Sequence, residues 1–206
     1  MTTLERERDR GVNIPFWIPA LWIGATLAFT PRLPWLTLAG YHLLCLVALR
    51  PHPRFTWGRM PRGAWALALG AAAGALLLLR LPAGRPGPPL AGVQTFLAHW
   101  PGGFPGYVGY TLTVNSLCEE AYWRHALPRL HPHWGPWRHG AAFGLHHLVA
   151  NGLVFGWWSA GPAFLYTALG GMAAQRVVRR TGGLGPVLLG HSLLNALSFA
   201  WLAGRL

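Results

Sequence analysis

The sequence predicts an all-α protein, a polytopic transmembrane helical bundle of about seven spans, within a range of six to eight. The chain of 206 residues has the size of one domain, but 52% of its residues are hydrophobic and only 11% are charged. In a soluble domain, about a quarter of the residues are charged. The apolar residues form long segments separated by Pro, Gly and Arg, which is typical of membrane helices joined by short loops.

Three apolar segments come first. Ile14–Phe29 is short for a span, which needs about 20 residues. Pro34–Leu49 is the second, and Pro51 ends it because proline cannot continue a helix. Ala64–Leu81 is the third.

The second half of the chain begins with a stretch rich in Pro and Gly. Within it, Leu90–Trp100 is too short to span a membrane and is expected to be re-entrant or interfacial. Four longer segments follow, and the last two are expected to have a proline in their first turn. They are Tyr107–Leu127, Gly140–Trp158, Pro162–Val178 and Pro186–Ala203.

Charge predicts the orientation. Residues 1–13 form a mixed-charge head, and residues 14–206 are expected to form a single transmembrane domain. If the head is cytoplasmic, most of the arginines fall in cytoplasmic loops, as the positive-inside rule requires. We therefore expect an integral protein of a bacterial plasma membrane with a cytoplasmic N-terminus. The net charge of +12 is not concentrated on one amphipathic face, so no nucleic acid is expected as a partner.

Two adjacent carboxylates stand out. Glu119 and Glu120 are the only acidic residues after Asp9, and they lie near the end of an apolar segment. A charged group in such a segment is costly and usually functional. The pair therefore marks the candidate site.

Two later apolar segments also carry polar clusters. One contains His146 and His147, and the other contains His191 and Asn195. Residues four apart share a helix face, so His191 and Asn195 point the same way, as do Phe143 and His147. Three helices could thus direct a carboxylate, imidazoles and an amide to one place, a set that suits the activation of water.

These motifs resemble those of the CPBP family, which comprises the CAAX prenyl proteases and the bacteriocin-processing (Abi) intramembrane endopeptidases. The resemblance covers about residues 107–203, the family-like catalytic core. The motifs are Glu-Glu-x-x-x-Arg (Glu119, Glu120, Arg124), Phe-x-x-x-His (Phe143, His147) and His-x-x-x-Asn (His191, Asn195).

The resemblance implies a role for each motif. Glu119 would activate the attacking water with His147 as its partner, and His191 and Asn195 would stabilise the oxyanion. The helical spacing independently predicts that Arg124 pairs with Glu120, one turn away, and leaves Glu119 free. The supporting residues are then Glu120, Arg124 and Phe143.

No firm cofactor follows from these residues. If zinc takes part, Glu119, His147 and His191 would hold it and leave a position for water. The family has been interpreted both as metalloproteases and as glutamate-type proteases. The close His-x-x-x-His pairing of helical zinc proteases is absent from the sequence, which favours a metal-independent site.

His146 is interpreted differently from its neighbour. Consecutive residues leave a helix about 100° apart, so His146 is expected to be a packing or supporting residue whose replacement has a mild effect. His131 and His133 are expected to be ordinary loop histidines rather than metal ligands.

The predicted function is that of an intramembrane endopeptidase, which hydrolyses a peptide bond of a membrane-associated protein or peptide near the cytoplasmic face. Its partners would be that substrate and the lipid bilayer. One alternative is a non-catalytic immunity or scaffold protein of the same family. Another is a proton or ion transporter using the same carboxylates, although the inverted repeat of many transporters is absent.

Overall fold

The computed structural model describes residues 15–30, 32–49, 56–58 and 91–203. This part of the chain contains seven helices and no β-strand, which confirms the all-α prediction. The helices are α1 (Ile18–Phe29), α2 (Pro34–Leu49), α3 (Ala91–Ala98), α4 (residues 103–130), α5 (Pro136–Phe155), α6 (Trp157–Thr181) and α7 (Gly185–Ala203).

The predicted third segment, Ala64–Leu81, and the predicted head, residues 1–13, lie outside the described residues. Within the described ranges, no helix combines the length and the apolar character needed to cross a bilayer.

Helix α4 changes its hydrogen-bonding pattern along its length. It contains two π-helical segments, Thr111–Asn115 and Ala121–Ala126, and the short α-helical segment Ser116–Glu120 lies between them. Long π-helical runs are rare, and they occur frequently at functional sites. The two carboxylates of the candidate site lie at the end of that central segment.

The boundary between α5 and α6 differs from the prediction. Helix α6 begins at Trp157, so Pro162 lies inside the helix rather than in its first turn. The chain reverses instead at Gly156, whose φ of 92° is one that residues with side chains rarely adopt. The boundary predicted at Pro162 is therefore wrong, because the glycine ends α5 earlier than the proline would.

A buried core joins α4 to the two N-terminal helices and to α5. Trp123, Tyr122 and Leu127 of α4 are completely buried, and Tyr41 and Cys45 of α2 pack in the same cluster. Helix α2 thus contacts the face of α4 that follows the carboxylates.

A short segment, residues 56–58, holds the start of α7. The Leu184 N–H donates to the Thr56 carbonyl and the Gly185 N–H donates to the Trp57 carbonyl, each at 2.9 Å. These bonds satisfy backbone donors that the beginning of a helix leaves free. They also fix where α7 enters the bundle.

Helices α5 and α6 are packed closely through glycines. A Cβ placed on Gly140 would lie 2.4 Å from the Ala168 carbonyl oxygen, and one on Gly144 would lie 2.8 Å from the Phe164 carbonyl oxygen. Both neighbours are backbone atoms, which cannot move aside as a flexible side chain can. The two helix backbones therefore approach closely only because these positions have no side chain.

We expect Gly140→Ala to destabilise the protein by about 1–3 kcal/mol, because the added methyl group overpacks the α5–α6 contact. The thermal unfolding midpoint in detergent and the folded yield measure this. Gly170→Ala in α6 is the matched control, since a Cβ there meets nothing within 4 Å. Equal stability of the two variants would contradict the close packing.

Candidate active site

Helix α4 brings two carboxylates into the interior of the bundle. Glu119 is 4% exposed and Glu120 is 3% exposed. Buried carboxylates need partners, because removal from water costs several kcal/mol for each charge. The two residues obtain different partners.

Glu120 is held from two helices. The Nε of Arg124 lies 3.3 Å from Glu120 Oε2, so the pair predicted from the helical spacing forms. His191 of α7 donates its Nδ1–H to Glu120 Oε1 at 2.8 Å. The guanidinium carbon of Arg124 in turn lies 4.3 Å from the centre of the Phe143 ring, a cation–π contact that supports the arginine.

Glu119 faces imidazoles instead of a guanidinium. The Nε2 of His191 lies 3.7 Å from Glu119 Oε2, and the Nε2 of His146 lies 3.7 Å from Glu119 Oε1. These separations are longer than direct hydrogen bonds. Among the described residues, Oε2 of Glu119 and Oε2 of Glu120 are both buried without a hydrogen-bond partner, but Glu120 Oε2 has the Arg124 cation beside it, whereas Glu119 Oε2 has an imidazole.

His146 is buried beside Glu119, and its packing or supporting role stays a prediction. The side chain is 2% exposed and approaches Glu119 directly, although the spacing along α5 assigned it to another face. The angular argument considered α5 alone. The His146 ring packs against Tyr41 of α2 and Trp123 of α4. It reaches the Glu119 carboxylate because these two helices lie beside this part of α5.

His147 lies beside this group and is oriented by its own helix. Its Nδ1–H donates to the Phe143 carbonyl at 3.0 Å, and its ring packs edge-on against the Phe143 ring at 4.3 Å. A neutral imidazole protonated at Nδ1 has its lone pair at Nε2. Within the described residues, the ion pairs of Glu119 are formed with His146 and His191.

Asn195 points to α4 but contacts a different residue. Its Nδ2 donates to Ser116 Oγ at 3.2 Å, and the Ser116 hydroxyl donates to the Thr111 carbonyl at 2.9 Å. Asn195 and His191, one turn apart on α7, thus both reach α4. The structure therefore brings together five residues of the candidate site: Glu119, Glu120, Arg124, His146 and His191. Asn195 instead contacts Ser116, three residues before Glu119.

Polar residues of α2 and α4 form a second network that the motifs did not indicate. The His42 Nε2–H donates to Asn115 Oδ1 at 3.1 Å, and the Tyr110 hydroxyl donates to His42 Nδ1. A histidine inside the apolar segment Pro34–Leu49 was the signal that could have suggested it. Its partners could not be predicted, because they lie on another helix.

The described ranges also contain histidines outside the candidate site, and these could be metal ligands only if other such side chains lay beside them. No three His, Cys, Asp or Glu side chains there are arranged to hold a metal ion. His131 and His133 lie in the loop before α5, where the His131 ring stacks on Trp134 at 4.3 Å. This contact is consistent with packing of an ordinary loop histidine.

Comparison with known proteins agrees with the motifs. Residues 101–197 match the family model described as type II CAAX prenyl endopeptidase Rce1-like. Over these residues the chain is thus similar to CAAX-protease-type endopeptidases. The match agrees with the resemblance to the CPBP family that the motifs indicate. No curated protein and no solved structure matches the chain.

We expect Arg124→Ala to reduce both folded yield and activity, because Glu120 would keep a buried charge without its cation. Breaking a buried ion pair in this way typically costs about 3–5 kcal/mol. The measurements are monodisperse yield after purification and thermal unfolding. Arg138→Ala is the control, since Arg138 is exposed. Normal yield and full activity of Arg124→Ala would show that the pair has no structural role.

His139, at the start of α5, provides a prediction about pH. Burial, with the Arg179 and Arg124 guanidinium groups and His131 nearby, lowers the pKa of His139 from 6.5 to about 4. The unfolded chain therefore binds a proton at higher pH than the folded chain does. The associated stability is complete above pH 6.5 and is lost as the pH falls toward about 4.

We expect the unfolding midpoint to fall less steeply over this range in His139→Phe than in the unaltered protein. Thermal unfolding in detergent at a series of pH values measures the difference. His133→Phe is the control, because His133 is exposed. Parallel pH curves for the unaltered protein and His139→Phe would refute this origin of the pH dependence.

Proposed function

We propose that this protein is an intramembrane endopeptidase that hydrolyses a peptide bond of a membrane-associated protein or peptide near the cytoplasmic face. One observation carries the proposal. Of two adjacent buried carboxylates, Glu120 pairs with Arg124 at 3.3 Å and accepts a hydrogen bond from His191 at 2.8 Å, whereas Glu119, within the described residues, forms its ion pairs with imidazole nitrogens at 3.7 Å. This division separates a structural carboxylate from one that is available for chemistry.

Glu119 is the general base in this proposal. It takes a proton from a water molecule, and the resulting hydroxide attacks the carbonyl carbon of the substrate peptide. His147 assists Glu119 in activating the water. Its hydrogen bond to the Phe143 carbonyl uses Nδ1–H and leaves the lone pair of Nε2 available. The proton held by Glu119 then passes to the leaving nitrogen as the C–N bond breaks. General acid–base catalysis of this kind contributes about 10²–10⁴-fold.

His191 and Asn195 stabilise the oxyanion, and His191 does so from Nε2 in its protonated form, because its Nδ1–H is already donated to Glu120. Both belong to α7 and both approach α4, where the attacked carbonyl would lie beside Glu119. The Asn195 amide has a second N–H besides the one that Ser116 accepts. N–H donors that are already oriented toward the developing charge act strongly where water is scarce.

A bilayer location is part of the proposal. Large apolar side chains are exposed on several helices, including Phe29 at 85%, Leu21 at 61% and Leu165 at 59%. Extensive apolar exposure is characteristic of a surface in contact with lipid or another protein. With the 52% hydrophobic content, this supports an integral protein of the bacterial plasma membrane with its N-terminus in the cytoplasm. The substrate would reach the site from the membrane.

We expect Glu119→Gln to reduce cleavage at least about 10²-fold, because glutamine keeps the shape of the side chain but cannot accept the proton. The assay is cleavage of a co-expressed tagged membrane substrate, or of the native substrate identified by comparing protein C-termini with and without the enzyme. His147→Ala and His191→Ala should be similarly damaging. Combining either with Glu119→Gln should add little, because groups acting as one unit are non-additive.

The matched control is Leu117→Ala on the same helix, since Leu117 is exposed and should be dispensable. Activity of Glu119→Gln equal to that of the unaltered protein would eliminate the catalytic assignment of Glu119, whereas absence of cleavage by the unaltered protein would favour the scaffold alternative. A parallel assay with a chelator tests the metal. Loss of cleavage that zinc restores would replace the metal-independent reaction with one in which Glu119, His147 and His191 hold zinc.

A further inference from the structure

Helix α2 lies outside the residues that match the family model, yet it contributes buried polar groups next to the candidate site. Tyr41 is 0% exposed and His42 is 3% exposed. Tyr41 contacts α4 and α5 and His42 contacts α4, while their neighbour Leu43 is 61% exposed. Two consecutive polar residues buried in an apolar helix are costly unless they are bonded and used.

Tyr41 determines how the His146 imidazole is oriented. The two rings stack with centroids 4.7 Å apart and planes 27° apart. Trp123 also packs against His146, at 5.5 Å, and its Nε1–H donates to the Tyr41 hydroxyl at 2.9 Å. The imidazole is therefore held by two aromatic rings that are hydrogen-bonded to each other.

No hydrogen bond takes over this task. The Nδ1 of His146 is buried and has no hydrogen-bond partner in the part of the chain that the structure describes. The ring nitrogen remote from the reacting group usually orients a functional histidine through such a bond. Since that bond is missing, the direction of His146 Nε2 toward Glu119 depends on the aromatic contacts.

His42 performs a comparable task for Asn115. Its Nδ1 accepts a hydrogen bond from the Tyr110 hydroxyl, and its Nε2–H donates a hydrogen bond to Asn115 Oδ1. Asn115 is 9% exposed and precedes Glu119 by one turn of α4. Because His42 occupies the amide oxygen, the remaining groups of the Asn115 amide are its N–H donors.

We propose that α2 supplies two positioning residues to the active site: Tyr41, which holds His146 against Glu119, and His42, which holds the Asn115 amide. The inference rests on the proposed endopeptidase function. His146 is thereby a further residue of the site, in contact with the general base. The N-terminal part of the chain is then necessary for catalysis and not only for membrane anchoring.

The decisive experiment is a double-mutant cycle on cleavage of the tagged substrate, with kcat and KM determined separately. We expect Tyr41→Leu to lower kcat at least about tenfold, with KM changed less than about threefold, because a misdirected group near the base slows chemistry more than binding. Tyr41→Phe keeps the ring that stacks on His146 and loses only the hydroxyl, so it should restore most of the activity. His42→Gln should lower kcat less than His42→Phe does, because glutamine can still bond to Asn115.

The cycle separates positioning from simple structural support. If Tyr41 acts through His146, then adding Tyr41→Leu to His146→Ala should lower kcat little further. Leu43→Ala, on the exposed side of the same turn, is the control and should be fully active. Yield and thermal unfolding of every variant are measured together, and Tyr41→Met, which also removes the stacking ring, substitutes for Tyr41→Leu in the cycle if the latter does not fold.

Two results would overturn the inference. In one, the fold loss of kcat in the double variant equals the product of the losses in Tyr41→Leu and His146→Ala. In the other, His146→Ala, Tyr41→Leu and His42→Phe remain active in folded protein while Glu119→Gln is inactive. Retained activity in Glu119→Gln would instead remove the proposed function itself, so the two failures are distinguishable.

Discussion

The burial of two consecutive carboxylates is the constraint on which the rest of this structure depends. Each would cost several kcal/mol in an apolar interior without compensation, and consecutive residues of a helix point in different directions. Glu120 therefore pairs with Arg124, His146 approaches Glu119, and His191 contacts both carboxylates through its two ring nitrogens. The helices that carry these partners must converge on α4.

The unusual backbone of α4 contributes to this division. The carboxylates lie between two π-helical segments, Thr111–Asn115 and Ala121–Ala126. A π-helical segment has a wider turn than an α-helix, so side chains before and after the carboxylates leave α4 in directions that a regular helix would not provide. Asn115 meets α2 in this way, and Ser116 meets α7.

Local regularities could be predicted from the sequence. The Glu120–Arg124 pair follows from spacing within one helix, and the helix order follows from the apolar segments and their breaks. Contacts between helices could not be predicted in the same way. The approach of His146 to Glu119 depends on how α2, α4 and α5 pack together, and the early end of α5 depends on the backbone freedom of Gly156 outweighing the signal from Pro162.

The glycine contact between α5 and α6 has a mechanical consequence. With Gly140 and Gly144 against carbonyl oxygens of α6, neither helix can rotate about its axis without a collision between backbones. We therefore expect α5 and α6 to move as one rigid unit that includes the histidines of α5. Under the proposed function, an opening that admits an extended polypeptide would therefore separate α4 or α7 from this pair rather than form between α5 and α6.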